Sequence, residues 1–96
     1  GQISSEIPAT FGLNQNYPNP FNPTTQIKYD IAKASYVAIK VFDVLGNEVA
    51  TVFNGNLAAG KYSADFNASN LATGIYFYSL SVDGQKIDTK KMILVK

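Results

Sequence analysis

Short runs of alternating apolar and polar residues are the feature that most restricts the fold of this chain. In residues 61–66, Tyr62, Ala64 and Phe66 alternate with polar residues, and this period of two places one set of side chains on a core and the other in water. No stretch has a helical apolar period long enough to compete. Six strands are predicted, over residues 25–31, 37–42, 48–53, 61–66, 75–82 and 85–95, with a possible seventh in 11–17. The pattern predicts an all-β fold, an antiparallel immunoglobulin-like β-sandwich of about seven strands.

Two glycines mark the starts of two of these strands. Gly60 and Gly74 each stand two residues before a tyrosine, Tyr62 and Tyr76 respectively, and glycine permits the positive φ or close backbone approach with which a chain enters a strand abruptly. The order Leu71, Gly74, Tyr76 resembles the tyrosine corner of immunoglobulin-like sandwiches, in which a tyrosine hydrogen-bonds back across the preceding connection. Structural roles are therefore predicted, with ligand stacking as the alternative for Tyr76.

Turn signals divide the later strands. Asp83-Gly84 is the strongest hairpin signal in the chain and predicts that the last strand pairs with the aromatic strand before it. The residues 54–56, Asn-Gly-Asn, are expected to end the strand 48–53, whose uneven apolar spacing indicates a bulge or an edge position. A shift of apolar register in the last strand predicts either a bulge near 89–91 or an end that is covered on both faces.

Asp43 and Gly46 belong to the loop Asp43-Val44-Leu45-Gly46-Asn47. Asp43 is placed to accept backbone N–H bonds, and Gly46 is free to take a left-handed conformation. A metal ligand is the alternative role for Asp43, but a calcium site needs several oxygen ligands close together and no acidic cluster surrounds this position. The loop is predicted to be a structural turn without a metal.

A proline-rich segment precedes the regular strands. Pro18, Pro20 and Pro23 forbid a helix and remove three ladder donors, while Asn19 and Asn22 can close Asx turns. Four apolar side chains are available to pin the segment to a sandwich edge: Phe11, Leu13, Tyr17 and Phe21. An ordered loop that covers an edge is predicted, and a recognition surface of exposed prolines and aromatics is the alternative.

The composition excludes several function classes. The chain has no cysteine and no histidine, which removes disulfides, thiol catalysis, the usual zinc sites and the commonest general base. No enzyme, cofactor, metal or catalytic residue is therefore predicted. With a net charge of +1 there is no broad field for nucleic acid or an anionic membrane, and no run approaches the length of a membrane span. Only the tail is basic, with Lys86, Lys90, Lys91 and Lys96.

The first residues differ from the remainder in composition. Gly1 to Thr10 is small and polar and is predicted to be a linker or a remnant of cloning, with one sandwich domain over 11–96. The segment lacks the charged and apolar regions of a signal peptide. An export signal, if there is one, is expected elsewhere in a longer polypeptide.

Four motifs follow one another along the chain. They are Asn16-Tyr17-Pro18-Asn19-Pro20-Phe21-Asn22-Pro23, then Val41-Phe42-Asp43-Val44-Leu45-Gly46-Asn47-Glu48-Val49, then Gly60-Lys61-Tyr62 with Leu71-Ala72-Thr73-Gly74-Ile75-Tyr76, and finally Lys91-Met92-Ile93-Leu94-Val95-Lys96. In this order they resemble a known family, the type A C-terminal sorting domain of the type IX secretion system of Bacteroidetes and related bacteria. An overlapping resemblance is to the immunoglobulin-like domain of the flagellar hook-capping protein. The first and last motifs favour the sorting family.

This resemblance implies a non-catalytic sorting signal attached to an N-terminal cargo domain. The cargo would pass through the periplasm, be recognised at the outer-membrane translocon and reach the cell surface or the medium, where a peptidase removes the domain by cleavage within Gly1 to Thr10. The residues expected to carry recognition are Lys90, Lys91, Met92, Ile93, Leu94, Val95 and Lys96. A final strand near a sheet edge can offer backbone groups for strand addition, whereas Met92 and Leu94 are core residues in the plainer interpretation.

Two alternatives come from other classes of protein. A carbohydrate-binding module could use Tyr36 or Tyr78 to stack on sugar rings, although the parity of the strand puts Tyr78 on a core face with Leu80. A structural accessory module of a secreted multidomain enzyme is the second alternative.

Overall fold

Two antiparallel four-stranded sheets pack face to face in the structure, a computed structural model that describes residues 1–4 and 6–96. The first sheet has the order β1-β6-β3-β2 and the second β5-β4-β7-β8. The strands are β1 Gln2–Ser4, β2 Gly12–Leu13, β3 Thr24–Ile31, β4 Ser35–Phe42, β5 Glu48–Leu57, β6 Gly60–Asn67, β7 Gly74–Val82 and β8 Gln85–Leu94. The predicted all-β sandwich is confirmed, with eight strands among the described residues in place of about seven.

Alternate residues of the central strands form the core between the sheets. Ile27 and Ile31 of β3 belong to the same core cluster as Ile39 and Val41 of β4, and all four side chains are fully buried. Burial of each such side chain contributes about 1.5–3 kcal/mol, so these strands hold the two sheets together. Four residues of β7 and β8 are likewise fully buried: Tyr78, Leu80, Met92 and Leu94.

Strand β5 continues through the glycine that was expected to end it. Gly55 pairs with Val37 of β4, and the ring of Phe53 packs over Gly55 and takes the place of a missing side chain. The prediction that 54–56 breaks the strand is therefore wrong. The predicted irregularity is confirmed, because β5 lies at the sheet edge and its pairing with β4 shifts register twice.

The hairpin between β7 and β8 is the one that Asp83-Gly84 predicted. Both residues have positive φ, 50° and 82°, as a tight two-residue turn between antiparallel strands requires. The bulge in β8 lies earlier than the predicted 89–91, because the register shifts where Ser81 pairs with Lys86 and Leu80 pairs with Asp88. The intervening Ile87 is the additional residue. Residues 88–94 then keep one register that directs Met92 and Leu94 into the core.

The first residues extend the first sheet. Gln2–Ser4 pairs with β6 as the edge strand β1, and the carbonyl of Gly1 accepts a hydrogen bond of 2.9 Å from the nitrogen of Ser63. Part of the predicted linker is thus strand. Ser5 lies outside the described residues, and residues 6–10 form no strand. The division of the chain at Thr10 stays a prediction.

Candidate functional site: two distant motifs joined along the last strand

The proline-rich motif runs along the free side of β8. The nitrogen of Phe21 donates to the carbonyl of Ile93, and the nitrogen of Val95 donates to the carbonyl of Phe21, each at 2.9 Å. The side-chain oxygen of Asn19 accepts from the nitrogen of Ile93, also at 2.9 Å. The first and last motifs of the sequence therefore form a single hydrogen-bonded unit, and Asn19 uses its side chain here rather than in the predicted Asx turn.

This unit covers the backbone edge of β8 over Lys91 to Val95. Gln15 adds a bond of 2.6 Å from its side-chain nitrogen to the carbonyl of Lys91, so the outward backbone groups between these residues are satisfied within the chain. An ordered loop that covers a sheet edge was predicted, and it is confirmed. Contrary to the prediction for strand addition, this part of the last strand does not offer free backbone groups.

Tyr78, a core residue, binds the chain just before the proline-rich motif. Its hydroxyl donates to the carbonyl of Asn14 at 2.7 Å and accepts from the nitrogen of Asn16 at 2.8 Å. Burial raises the pKa of Tyr78 to about 12, and the nearby negative charge of Asp88 acts in the same direction. A fully buried phenol cannot stack on a sugar, so Tyr78 is not the platform that the carbohydrate alternative requires.

The turn of the motif is held by buried polar groups. The side-chain nitrogen of Asn16 donates to Thr25 Oγ1 at 2.9 Å, and that hydroxyl donates to the carbonyl of Pro18 at 2.8 Å. Asn16 and Thr25 are each 2% exposed, so these bonds offset the cost of burying polar atoms. Phe21 enters the core against Phe66, with ring centroids 6.3 Å apart. Tyr17, by contrast, projects into solvent.

The seven residues predicted to carry recognition alternate between core and surface. Met92 and Leu94 are core residues, and Lys90 forms an ion pair of 3.6 Å with Asp88. Lys96 is tied to the preceding connection, since its backbone nitrogen donates to Thr73 Oγ1 at 3.0 Å. The side chains that face water are those of Lys91, Val95 and Lys96, with Lys90 and Ile93 half-buried.

Tyr76 forms the tyrosine corner that its sequence context predicts. Its hydroxyl donates to the carbonyl of Ala72 at 2.6 Å, across the connection that precedes β7. Gly74 enters the strand with φ of 159°, and Leu71 packs against the core. Since the ring is 8% exposed, the structural role is confirmed and the stacking alternative does not fit.

A second tyrosine corner lies at Tyr62, where only a strand residue was expected. Its hydroxyl donates to the carbonyl of Ala58 at 2.7 Å, and Gly60 has φ of 156°. Tyr62 also stacks on Tyr29 with ring centroids 5.6 Å apart. The spacing of glycine and tyrosine is the same as at β7, so the sequence already carried the signal for this second corner.

Asp43 organises the turn between β4 and β5. Its carboxylate accepts hydrogen bonds of 2.9 Å from the nitrogens of Leu45 and Asn47, while Gly46 takes the left-handed φ of 87°. These bonds, first of all the one from Asn47, lower the pKa of the Asp43 carboxyl. The predicted roles of both residues are confirmed. The carboxylate is directed at its own loop.

Tyr36 is the accessible one of the two tyrosines proposed for sugar stacking. It lies at the start of β4 on the outer face of the second sheet and is 44% exposed. Its hydroxyl bonds to the side-chain oxygen of Asn54 on the neighbouring edge strand.

Fold and site together define a small β-sandwich domain in which the proline-rich motif is hydrogen-bonded to the last strand. The family described as the secretion system C-terminal sorting domain matches residues 15–96, and the chain belongs to this family. It is a C-terminal sorting signal for type IX secretion, of a family that is non-catalytic, and it directs a cargo protein to the cell surface or extracellular space. No curated protein matches the chain. The described residues include no helix of the length and apolarity that crossing a bilayer takes.

Proposed function

We propose that the outer-membrane translocon recognises the end of the domain formed by Lys90 to Lys96, and that the domain has no catalytic activity of its own. The observation that carries this proposal is the family match over 15–96. The hydrogen bonds between the first and last motifs support it. That contact holds the last strand in one conformation. A partner then meets a preorganised surface and bears little of the cost of ordering a free tail.

Five of the seven residues have one of two roles in this proposal. Lys91, Val95 and Lys96 are exposed and contact the partner. Met92 and Leu94 are fully buried and act by fixing the strand to the core. Lysines at the border of such a surface orient an approaching partner more than they add affinity.

The route of the cargo forms the second part of the proposal. The parent polypeptide enters the periplasm with the folded domain at its end, and a cell-surface peptidase later removes the domain. Cleavage within 6–10 is supported by the exposure of these residues, such as Ile7 at 69%, and by the absence of strand there. Cleavage within Gln2–Ser4 is disfavoured because that stretch pairs with β6.

The test is a fusion of all 96 residues to a periplasm-targeted fluorescent protein in a host with type IX secretion. Because removal of Lys91 to Lys96 would also remove core side chains, the test variant is Lys91→Glu with Lys96→Glu. Its matched control is Lys28→Glu with Lys33→Glu, at exposed lysines in and beside the other sheet. We expect secretion of the intact fusion and of the control, and retention of the test variant in the periplasm.

Retention of the intact fusion, in a host that still secretes its own cargo, would sink the proposal. Mass spectrometry of the secreted fusion locates the processed bond, which we expect between residues 6 and 10. Cleavage inside Gln2–Ser4 would contradict the proposed position alone.

A further inference from the structure

Large apolar side chains are exposed together at one end of the outer face of the second sheet. Val44 is 66% exposed, Val95 47% and Ile75 43%, and Phe77 and Ile93 are half-buried beside them. We call these five residues the apolar end patch. Contiguous apolar surface of this kind marks interaction sites more often than isolated exposed residues do.

Strand register makes the patch continuous. Ile75 pairs directly with Ile93, and Phe77 pairs with Lys91 on the same side of the sheet. Side chains of neighbouring residues, such as Tyr76 and Met92, enter the core, so these partners project outward together. On the other side Phe77 pairs with Phe42 of β4.

Val44 joins the patch from the turn that follows β4. It lines a surface depression together with Phe42 and Phe77. The conformation of this turn is fixed by the carboxylate of Asp43 and by the left-handed Gly46. Neither interaction needs an apolar side chain at Val44, and the fold therefore leaves this exposed valine unexplained.

We propose that the apolar end patch is a docking surface for a translocon protein whose own surface is apolar at the centre and bordered by carboxylates. This inference rests on the proposed sorting function and extends the contact from Lys91, Val95 and Lys96 to β7 and the β4–β5 turn. The charge of the border supports the choice of partner. Lys91 flanks Phe77 across the strand pair, and its amine forms no ion pair with any residue of 1–4 or 6–96.

The same features disfavour two other modes of contact. A two-fold dimer centred on the patch would place both copies of Lys91 at one interface with no carboxylate of the patch to pair with, and like charges repel across an interface. Addition of a partner strand to β8 beside the patch would first have to displace Asn19 and Phe21 from Ile93. Contact through the outward side chains needs neither change.

The test replaces Val44 and Ile75 by serine together in the full-length fusion. Both side chains are exposed, so the fold should persist, which thermal unfolding of the purified 96-residue chain verifies. The matched control is Tyr36→Ser, at a large side chain of similar exposure on the same sheet face but at the opposite end of β4. We expect about a tenfold fall in the secreted fraction for the double variant and no change for the control, since truncation at the centre of an interface commonly costs this much.

A photo-crosslinking residue in place of Val44 identifies the partner. We expect an adduct with a translocon protein, on a segment that carries Asp or Glu beside apolar residues. Lys91→Glu should weaken this adduct, and Lys28→Glu should leave it unchanged.

The results of these experiments distinguish a failure of the docking surface from a failure of the sorting function. If the intact fusion is secreted and the double variant is secreted equally, the patch is not a docking surface and the sorting function stands. If the intact fusion stays in the periplasm, the sorting function fails and the inference with it. Patch-dependent dimers in sedimentation, or patch-dependent binding to phosphatidylethanolamine–phosphatidylglycerol vesicles, without a translocon adduct, would also overturn the inference.

Discussion

The side-chain oxygen of Asn19 accepts a hydrogen bond of 2.9 Å from the backbone nitrogen of Ile93, and the two residues are 74 positions apart in the chain. The substitution Asn19→Ala removes the acceptor at an exposed site where water can replace it. We therefore expect a modest loss in the free energy of unfolding, about 0.5–1.5 kcal/mol, together with faster hydrogen exchange of the Ile93 amide. Urea unfolding and exchange NMR measure the two quantities. Asn22→Ala is the matched control, and equal effects of both substitutions would contradict the assigned role of Asn19.

The hydroxyl of Tyr78 is expected to contribute more than Asn19 to the free energy of unfolding, because it is buried and has two hydrogen-bond partners. Tyr78→Phe keeps the ring but leaves the carbonyl of Asn14 and the nitrogen of Asn16 without their partner, which should lower the free energy of unfolding by about 1–3 kcal/mol. Tyr36→Phe removes an exposed hydroxyl and should change the same quantity by less than about 0.5 kcal/mol. Denaturant midpoints compare the two. A neutral Tyr78→Phe would mean that the proline-rich segment is anchored by other contacts.

The two glycines at the tyrosine corners should differ in their tolerance of alanine. Both have φ values that side chains rarely adopt, which costs about 1–3 kcal/mol. A Cβ at Gly60 would also lie 3.0 Å from the carbonyl oxygen of Ser4, whereas a Cβ at Gly74 would meet open space. Gly60→Ala is therefore expected to lower the melting temperature further and to loosen β1, seen as faster amide exchange at Ser63. The reverse order of melting temperatures would refute this difference.

The stability of the fold is expected to depend on pH at the acid end through Asp43. Its pKa is lower in the folded chain than the ordinary value of 3.8 because the carboxylate accepts bonds from Asn47, Leu45 and Gly46. A lowered folded pKa means that the stabilisation is present above about pH 4 and is lost as the pH falls through the folded pKa. The stability difference between the wild type and Asp43→Ala should shrink on acidification over that range. Urea midpoints that stay equally far apart down to about pH 2 would exclude this linkage.

Alkaline unfolding should involve two tyrosines. Burial raises the pKa of both Tyr29 and Tyr78 to about 12, above the unfolded value of 10.0. The fold favours the neutral phenols, so their contribution is present below pH 10 and is lost as the pH rises towards 12. Each tyrosine adds a slope of up to about 1.4 kcal/mol per pH unit. Spectrophotometric titration follows the ionisation, and Tyr29→Phe should flatten the loss of stability above pH 10. A loss of equal steepness in that variant would assign the alkaline transition to other groups.

Local chemistry made much of the fold predictable. The alternation in residues 61–66 indicates a strand whatever it pairs with, and Asp83-Gly84 adopts the positive φ values of a tight hairpin by itself. Asp43 bonds within its own turn, and Tyr76 bonds to a carbonyl only four residues before it. Such features depend on neighbours in sequence, and a single sequence contains them.

Features that depend on distant partners were not predictable in this way. Gly55 stays in a strand because β4 supplies its hydrogen bonds, and Gln2–Ser4 becomes a strand because the edge of β6 is open to it. The path of Asn19 and Phe21 along β8 depends on a strand far away in sequence. The resemblance singled out the first and last motifs, but neither their junction nor the exposure of Val44 could be predicted from the sequence.

The junction between the first and last motifs can form only after the last strand has been synthesised. A ribosome completes the segment that contains Phe21 long before it reaches Val95, so a prematurely ended chain has no partner for the backbone groups of Phe21. Such a chain also lacks Ile93 and Val95 on its surface. The ordered end of the sandwich thus exists only in a chain translated at least through Val95, and a translocon that recognises it would leave shorter products behind.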